Sequence, residues 1–118
     1  MVTHMNDILS QLPLREPTFF ILLSLSPGPK HGYAILKEVS NLSEGRVKLS
    51  TGTLYGAIKR LLDQDWILRV DDPIPNGTDR ERKSYELTDL GRRALNAETA
   101  RLRKLVHAAA SQTAEEIP

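Results

Sequence analysis

Between Ser50 and Asp63 the sequence reads STGTLYGAIKRLLD, and its polar residues fall in a pattern with chemical meaning. At 3.6 residues per turn, Leu54, Ile58, Leu61 and Leu62 share one face. Gly52, Gly56 and Lys59 share the opposite face, with Arg60 beside them and Tyr55 on the flank. A glycine inside a helix costs about 0.8–1 kcal/mol relative to alanine. That cost makes sense where the backbone must come close to something large. A leucine-rich inner face with a bare, cationic, hydroxyl-bearing outer face suits the major groove of a nucleic-acid duplex.

Charge points the same way. The net charge of +1 carries no information by itself, but from Arg46 to Arg60 the chain holds Arg46, Lys48, Lys59 and Arg60 and no acid. Such a local patch reads either as a footprint for phosphates or as a solvated helix face. Ser50 is a suitable N-cap for the helix, and Thr53 stands at N3, so the reciprocal capping box is incomplete. Thr51 and Thr53 lie near the helix N-terminus, where free N–H groups favour phosphate. Tyr55 either donates its hydroxyl to a phosphate or packs its ring on the preceding helix.

Other chemistries find no foothold. The histidines His4, His31 and His107 are scattered without metal-ligand spacing, so neither a metal nor a cofactor is expected. PGPKHG at Pro27 to Gly32 lacks the spacing of a phosphate-binding loop. No serine sits in a glycine-rich elbow beside a base, so the chain is not expected to be an enzyme. There is no cysteine, hence no disulfide framework, in keeping with a cytoplasmic location. The longest apolar run, around Phe19 to Leu25, is too short to span a bilayer.

The elements that must hold this helix follow from pattern. With 118 residues, 40% hydrophobic and 26% charged, one domain is expected. Residues 1–16 form a leader with a short helix through Ile8, Leu9 and Leu12, ended by Pro13. Pro17 opens an apolar helix, TFFILLSLS, stopped by Pro27–Gly28–Pro29. A second helix runs from about His31 to Leu42, with Ile35, Leu36, Val39 and Leu42 inward. The helix after Ser50 is the third. Trp66 to Val70 reads as a strand, Asp71 to Arg82 as a polar loop with the turn pair Asn76–Gly77, and Lys83 to Leu87 as the returning strand. Thr88 caps a long last helix over 88–111, and 112–118 reads as a disordered tail. The fold class is mainly α with a small β-hairpin: a winged helix-turn-helix over 17–87 plus a long C-terminal helix.

HGYAILKEV, LSTGTLYGAIKRLLDQDWI and RKSYELTDLGRRAL together resemble the PadR family of bacterial transcriptional regulators, over roughly Pro17 to Glu98. Gly32 and Tyr33 match the family's Gly-Tyr in helix two. Ser50, Gly52, Thr53, Tyr55, Arg60 and Leu61 match its recognition helix. Arg82, Lys83, Tyr85, Leu87, Thr88 and Gly91 match the exit from the wing. Thr51 and Gly56 stand where the family usually has proline, and Asp65 where it has glycine. The resemblance implies a repressor that binds an inverted-repeat operator as a homodimer, of the short subtype with a single closing helix.

From both readings the DNA-facing set is Ser50, Thr51, Gly52, Thr53, Tyr55, Gly56, Lys59 and Arg60. Lys30 and Tyr33 join it from helix two, and Arg80, Arg82 and Lys83 from the wing, where interleaved acids point to a modest role. His31 reads as a cap or a solvent-facing group. Dimer contacts are expected from Phe19, Phe20, Leu95, Leu102, Leu105 and Ala109. Leu95, Leu102 and Ala109 recur every seven residues, although Gly91 and Glu98 interrupt the alternate positions. The alternative is an amphipathic helix folded back on its own domain. Two other functions stay open: a winged helix used only for protein interaction, and a sensor holding a small apolar effector in a pocket lined by Phe19, Phe20 and Trp66.

Overall fold

The computed structural model describes residues 8–71 and 83–113. Residues 8–10 are helical, and five-residue strands and longer helices follow in the order α1 (Glu16–Ser24), β1 (Lys30–His31), α2 (Gly32–Leu42), α3 (Thr51–Asp63), β2 (Ile67–Asp71), β3 (Lys83–Leu87) and α4 (Asp89–Gln112), with only β1 shorter. The winged helix-turn-helix architecture is therefore present, with a three-stranded antiparallel sheet of order β1-β3-β2. The third strand was not foreseen. A two-residue piece carries no alternation, and Lys30 and His31 join the sheet only because β3 returns beside them, pairing Lys30 with Tyr85 and His31 with Ser84.

α1 has no polar side because it is enclosed. Ile21 and Leu22 are fully buried and α1 packs on both α2 and α4. Ile8 is 1% exposed within the same core, so the chain from residue 8 onward already packs into the domain. Leu9, its neighbour in the same helical piece, is exposed. Leu42, expected inward, is exposed at the last residue of α2.

Both helices of the helix-turn-helix end in the same way. At the end of α3 the Trp66 N–H donates to the Leu61 carbonyl (3.0 Å) and the Asp65 N–H to the Leu62 carbonyl (3.0 Å). This 6→1, 5→2 pair is a Schellman motif, and it puts Asp65 at φ 60°. The motif also explains why β2 starts at Ile67, one residue later than expected: Trp66 is used to close the helix. α2 ends alike, with Glu44 at φ 54° and the Gly45 N–H donating to the Ser40 carbonyl at 2.7 Å.

The junction between sheet and last helix is tight. Thr88 Oγ1 accepts from the Gly91 N–H (3.0 Å) and donates to the Asp65 carbonyl (2.5 Å). The Thr88 N–H donates to the Trp66 carbonyl (3.1 Å). A Cβ on Gly91 would overlap that carbonyl, so only glycine lets α4 start this close to the end of α3.

Glu98 is the least expected residue of the core. It breaks the apolar repeat in sequence, yet it is 2% exposed. Its Oε2 accepts from the Leu14 N–H at 2.9 Å, and its carboxylate receives both Arg101 Nε (2.5 Å) and an Arg101 terminal nitrogen (3.1 Å). Hydrogen bonding from Arg101 holds the carboxyl below its ordinary range against the opposing effect of burial, with the Leu14 N–H adding to the lowering. The carboxylate thus ties the N-terminal segment to α4.

Candidate nucleic-acid interface

α3 is presented outward by three of its sides. Leu54, Ala57, Ile58 and Leu61 are buried and Leu62 half-buried against the core, which fixes the roll of the helix. Ser50 Oγ accepts from the Thr53 N–H at 3.1 Å and donates to Thr53 Oγ1 at 2.9 Å. The cap therefore satisfies one orphan donor and defines where the helix begins. On the far side Thr51, Gly52, Thr53, Gly56, Lys59 and Arg60 are all exposed. Among the described residues, a Cβ placed at Gly52 or at Gly56 would meet nothing within 4 Å, so no described contact calls for glycine at either position.

Tyr55 is half-buried, in the arrangement of its packing reading. Its hydroxyl lies so close to Gly32 that a Cβ there would collide with it, so the ring is packed on the first turn of α2. That contact sets the spacing between the two helices and gives Gly32 its purpose. Tyr85, also buried, sits near Tyr55; burial first and then Tyr55 raise its hydroxyl above the ordinary range. Tyr33 is the reverse case. It is 70% exposed, with Lys37 Nζ 5.5 Å from the ring centroid, so an aromatic face and a cation stand together in solvent at the start of α2.

The cationic patch is smaller than the sequence suggests. Arg46 forms a two-pronged ion pair with Glu16, 30 residues earlier, one bond of it 3.0 Å long. Arg60 leans over the N-terminal segment, where it lines a groove with Arg15. Lys48 and Lys59 remain exposed with no described partner. Asp63, one turn beyond Lys59, adds an acid to the same outer side.

At the sheet, Lys30 is half-buried in β1 and Lys83 opens β3. His31 is neither a side-chain cap nor free: its Nδ1 lies 3.2 Å from the Lys83 carbonyl and 3.2 Å from Ser84 Oγ. In β2, Arg69 is held by Asp71, with bonds of 2.6 and 3.2 Å. The wing residues Arg80 and Arg82 lie outside the described residues. Among the described residues no group of histidines and carboxylates could hold a metal ion, and no helix is long and apolar enough to cross a membrane.

The dimer candidates divide. Leu95 is 5% exposed in the core of its own domain and is not available to a partner. It lies in the half of α4 that packs on α1 and β3. Phe19 and Phe20 are half-buried against the same core, edge to face with ring centroids 5.6 Å apart. Beyond Glu98 the helix runs clear of the domain: Leu105 is 54% exposed, and so is Ala109 exposed, while Leu102 is intermediate. Val106, 59% exposed beside Leu105, was missed because it falls off the seven-residue repeat.

The model of the transcriptional regulator PadR-like family matches residues 21–97. Among solved structures, a PadR family transcription regulator from Clostridium difficile R20291 aligns with TM-score 0.67 at 23% identity, covering 84% of this chain and 98% of that one. A PadR-like transcription factor from Bacteroides fragilis aligns with TM-score 0.67 at 26% identity, covering 89% and 97%. Bacillus subtilis PadR, solved in complex with operator DNA, aligns with TM-score 0.62 at 24% identity over 70% of this chain and 46% of that one. No curated protein matches the sequence.

Proposed function

The chain belongs to the PadR-like family of transcriptional regulators, and from that premise we propose that it is a cytoplasmic homodimeric repressor that reads an inverted-repeat operator through α3. The observation that carries the proposal is Gly56. It lies in the middle of α3, exposed, with open space where a side chain would go. Glycine costs the helix about 0.8–1 kcal/mol there, and packing among the described residues gives no reason for it. A surface that must approach a duplex backbone-first gives that reason.

Residue roles follow. Lys59 reaches base edges or phosphate, and Thr51 and Thr53 meet phosphate at the helix N-terminus. Ser50 sets the start of the helix, and Gly52 and Gly56 let its backbone approach. Tyr55 holds α3 on α2 instead of touching DNA. Lys30, Tyr33, Lys83 and the wing arginines Arg80 and Arg82 flank the groove, where phosphate contacts position the protein. The structure of B. subtilis PadR with operator DNA supports this class of ligand.

Dimerisation rests on the outer half of α4. Leu105 and Val106 form an exposed apolar pair on a helix that no other described element covers at that point. Two recognition helices related by a two-fold axis would enter successive major grooves about 34 Å apart.

The test is a gel-shift titration on DNA from upstream of the protein's own gene at two salt concentrations. The expected result is saturable binding that weakens steeply with salt, each neutralised phosphate contributing about −0.9 to the log–log slope. Binding with no salt dependence, or none at all, would favour a winged helix used for protein contacts.

A further inference from the structure

Four residues border Gly56 on the surface of α3: Gly52 and Thr53 one turn before it, Lys59 and Arg60 one turn after it. All five are exposed. Arg60 leans away towards the N-terminal segment. Gly56 is therefore the floor of a notch walled by Thr53 and Lys59 and open towards Gly52. Among the described residues a Cβ at Gly56 would meet nothing within 4 Å, so the floor lacks the volume of one methyl group and nothing in the fold fills it.

The floor also offers no polar group. Gly56 lies mid-way along the 13-residue helix, where the backbone N–H and carbonyl are both bonded along the axis. On the wall, Thr53 Oγ1 already accepts from Ser50 Oγ at 2.9 Å. Such a surface discriminates by shape rather than by hydrogen bonds. In the major groove the C5-methyl of thymine is the one apolar group that the four bases present.

From this match of a methyl-sized gap to a single protruding methyl, we infer that the notch at Gly56 receives the C5-methyl of a thymine, making Gly56 a specificity-determining residue in each half-site. The inference rests on the reading that α3 enters the major groove, and it deepens that reading by naming the group the bare stretch of helix recognises. A glycine kept only for close approach is indifferent to the base beneath it. A notch closed by a methyl distinguishes thymine from the other three bases, while Lys59 beside it supplies the polar contact. Burying one methyl is worth about fourfold in affinity, and two half-sites together roughly fifteenfold.

The test removes the methyl from the DNA and then restores it on the protein. The fragment upstream of the protein's own gene is prepared twice, with thymine and with uracil throughout, primers included; the two differ only in the C5-methyl. Gel shifts are run on both with the natural chain and with Gly56→Ala, whose added methyl has free room and favours the helix, so the fold is retained. The expected result is that the natural chain binds the thymine fragment roughly fifteenfold more tightly than the uracil fragment, and that Gly56→Ala reverses the order, because its own methyl occupies the notch. A change in duplex shape on losing the methyls would act on both proteins alike, so the reversal separates contact from shape. Equal binding of the two fragments by the natural chain, or an unaltered thymine preference in Gly56→Ala, would overturn the inference while salt-dependent binding of the thymine fragment left the groove reading of α3 in place. Absence of salt-dependent binding to either fragment would overturn both together.

Discussion

Under the proposed function, Lys59 is the side chain on which sequence specificity turns. It stands between Gly56 and Asp63 on the outer side of α3, with no described partner inside the chain. Lys59→Ala is expected to weaken operator binding by about 1–3 kcal/mol and to relax preference at one base pair; gel shifts against a set of single-position operator variants measure both. Arg46 shows why residue type alone overstates such a patch. Its charge is matched by Glu16 from another element, a pairing across 30 residues that no local window reveals. Glu98 was illegible for a related reason: in sequence it is a defect in an apolar repeat, and only the fold brings the Leu14 N–H to it.

Glu98 also makes the fold sensitive to acid. Its folded-state pKa lies below the ordinary value, so the ionised form stabilises the native state. That contribution is complete above the unfolded-state pKa of about 4.3 and is lost as pH falls through the lower folded value. Urea midpoints measured from pH 6 down to pH 3 should fall for the natural chain, and Glu98→Gln should be less stable at pH 6 with a shallower acid limb. Identical pH profiles for the two would remove Glu98 from the account.

At the scale of elements, the helices and the returning strand were legible because each is long enough to show its period, and Ser50 and Thr88 both cap where a hydroxyl precedes the run. β3 spans Lys83–Leu87 as alternation predicts. What escaped was set by contacts distant in sequence: β1, which forms only against β3, and the choice between the two readings of the Tyr55 ring, which the proximity of Gly32 bears on. The end of α3 carries a local prediction. Asp65 occupies the left-handed position of a Schellman motif, where a Cβ costs roughly 1–2 kcal/mol. An acid just past the helix C-terminus is also on the unfavourable end of the helix dipole. Asp65→Gly gives back roughly 0.5–1 kcal/mol in unfolded-state entropy, so a modest net rise in Tm is expected by calorimetry. Gly56→Ala should likewise stabilise α3 by about 0.8–1 kcal/mol. A larger residue there, Gly56→Gln, should abolish DNA binding while leaving Tm unimpaired, a split that a purely structural glycine would not produce.

On the scale of the molecule, the chain is longer than a sphere of its mass. Its radius of gyration is 16.2 Å and its extents are 58 × 41 × 23 Å, against roughly 13–14 Å for a compact domain of this length. α4 accounts for the difference, since 24 residues at 1.5 Å each carry it about 36 Å. Only its first half is anchored, through Ala94, Leu95 and Glu98. The sequence repeat assigned Leu95 to a partner, whereas it lies in the core of its own domain, because periodicity identifies an apolar side without saying whose core it joins. Leu105→Glu is expected to give a monomer by sedimentation with the helix content retained, and to cost most of the operator affinity, since one half-site then binds alone.

The central claim is that the outer side of α3 faces the major groove. Because the chain has no cysteine, a cysteine introduced elsewhere takes a thiol-directed photo-cross-linker at one position only. Lys59→Cys carrying the linker, bound to operator DNA, should cross-link at two clusters of bases about 10 base pairs apart, with Arg103→Cys on α4 giving none. DNA bound by both labelled proteins but cross-linked from position 103 and not from position 59 would contradict the account.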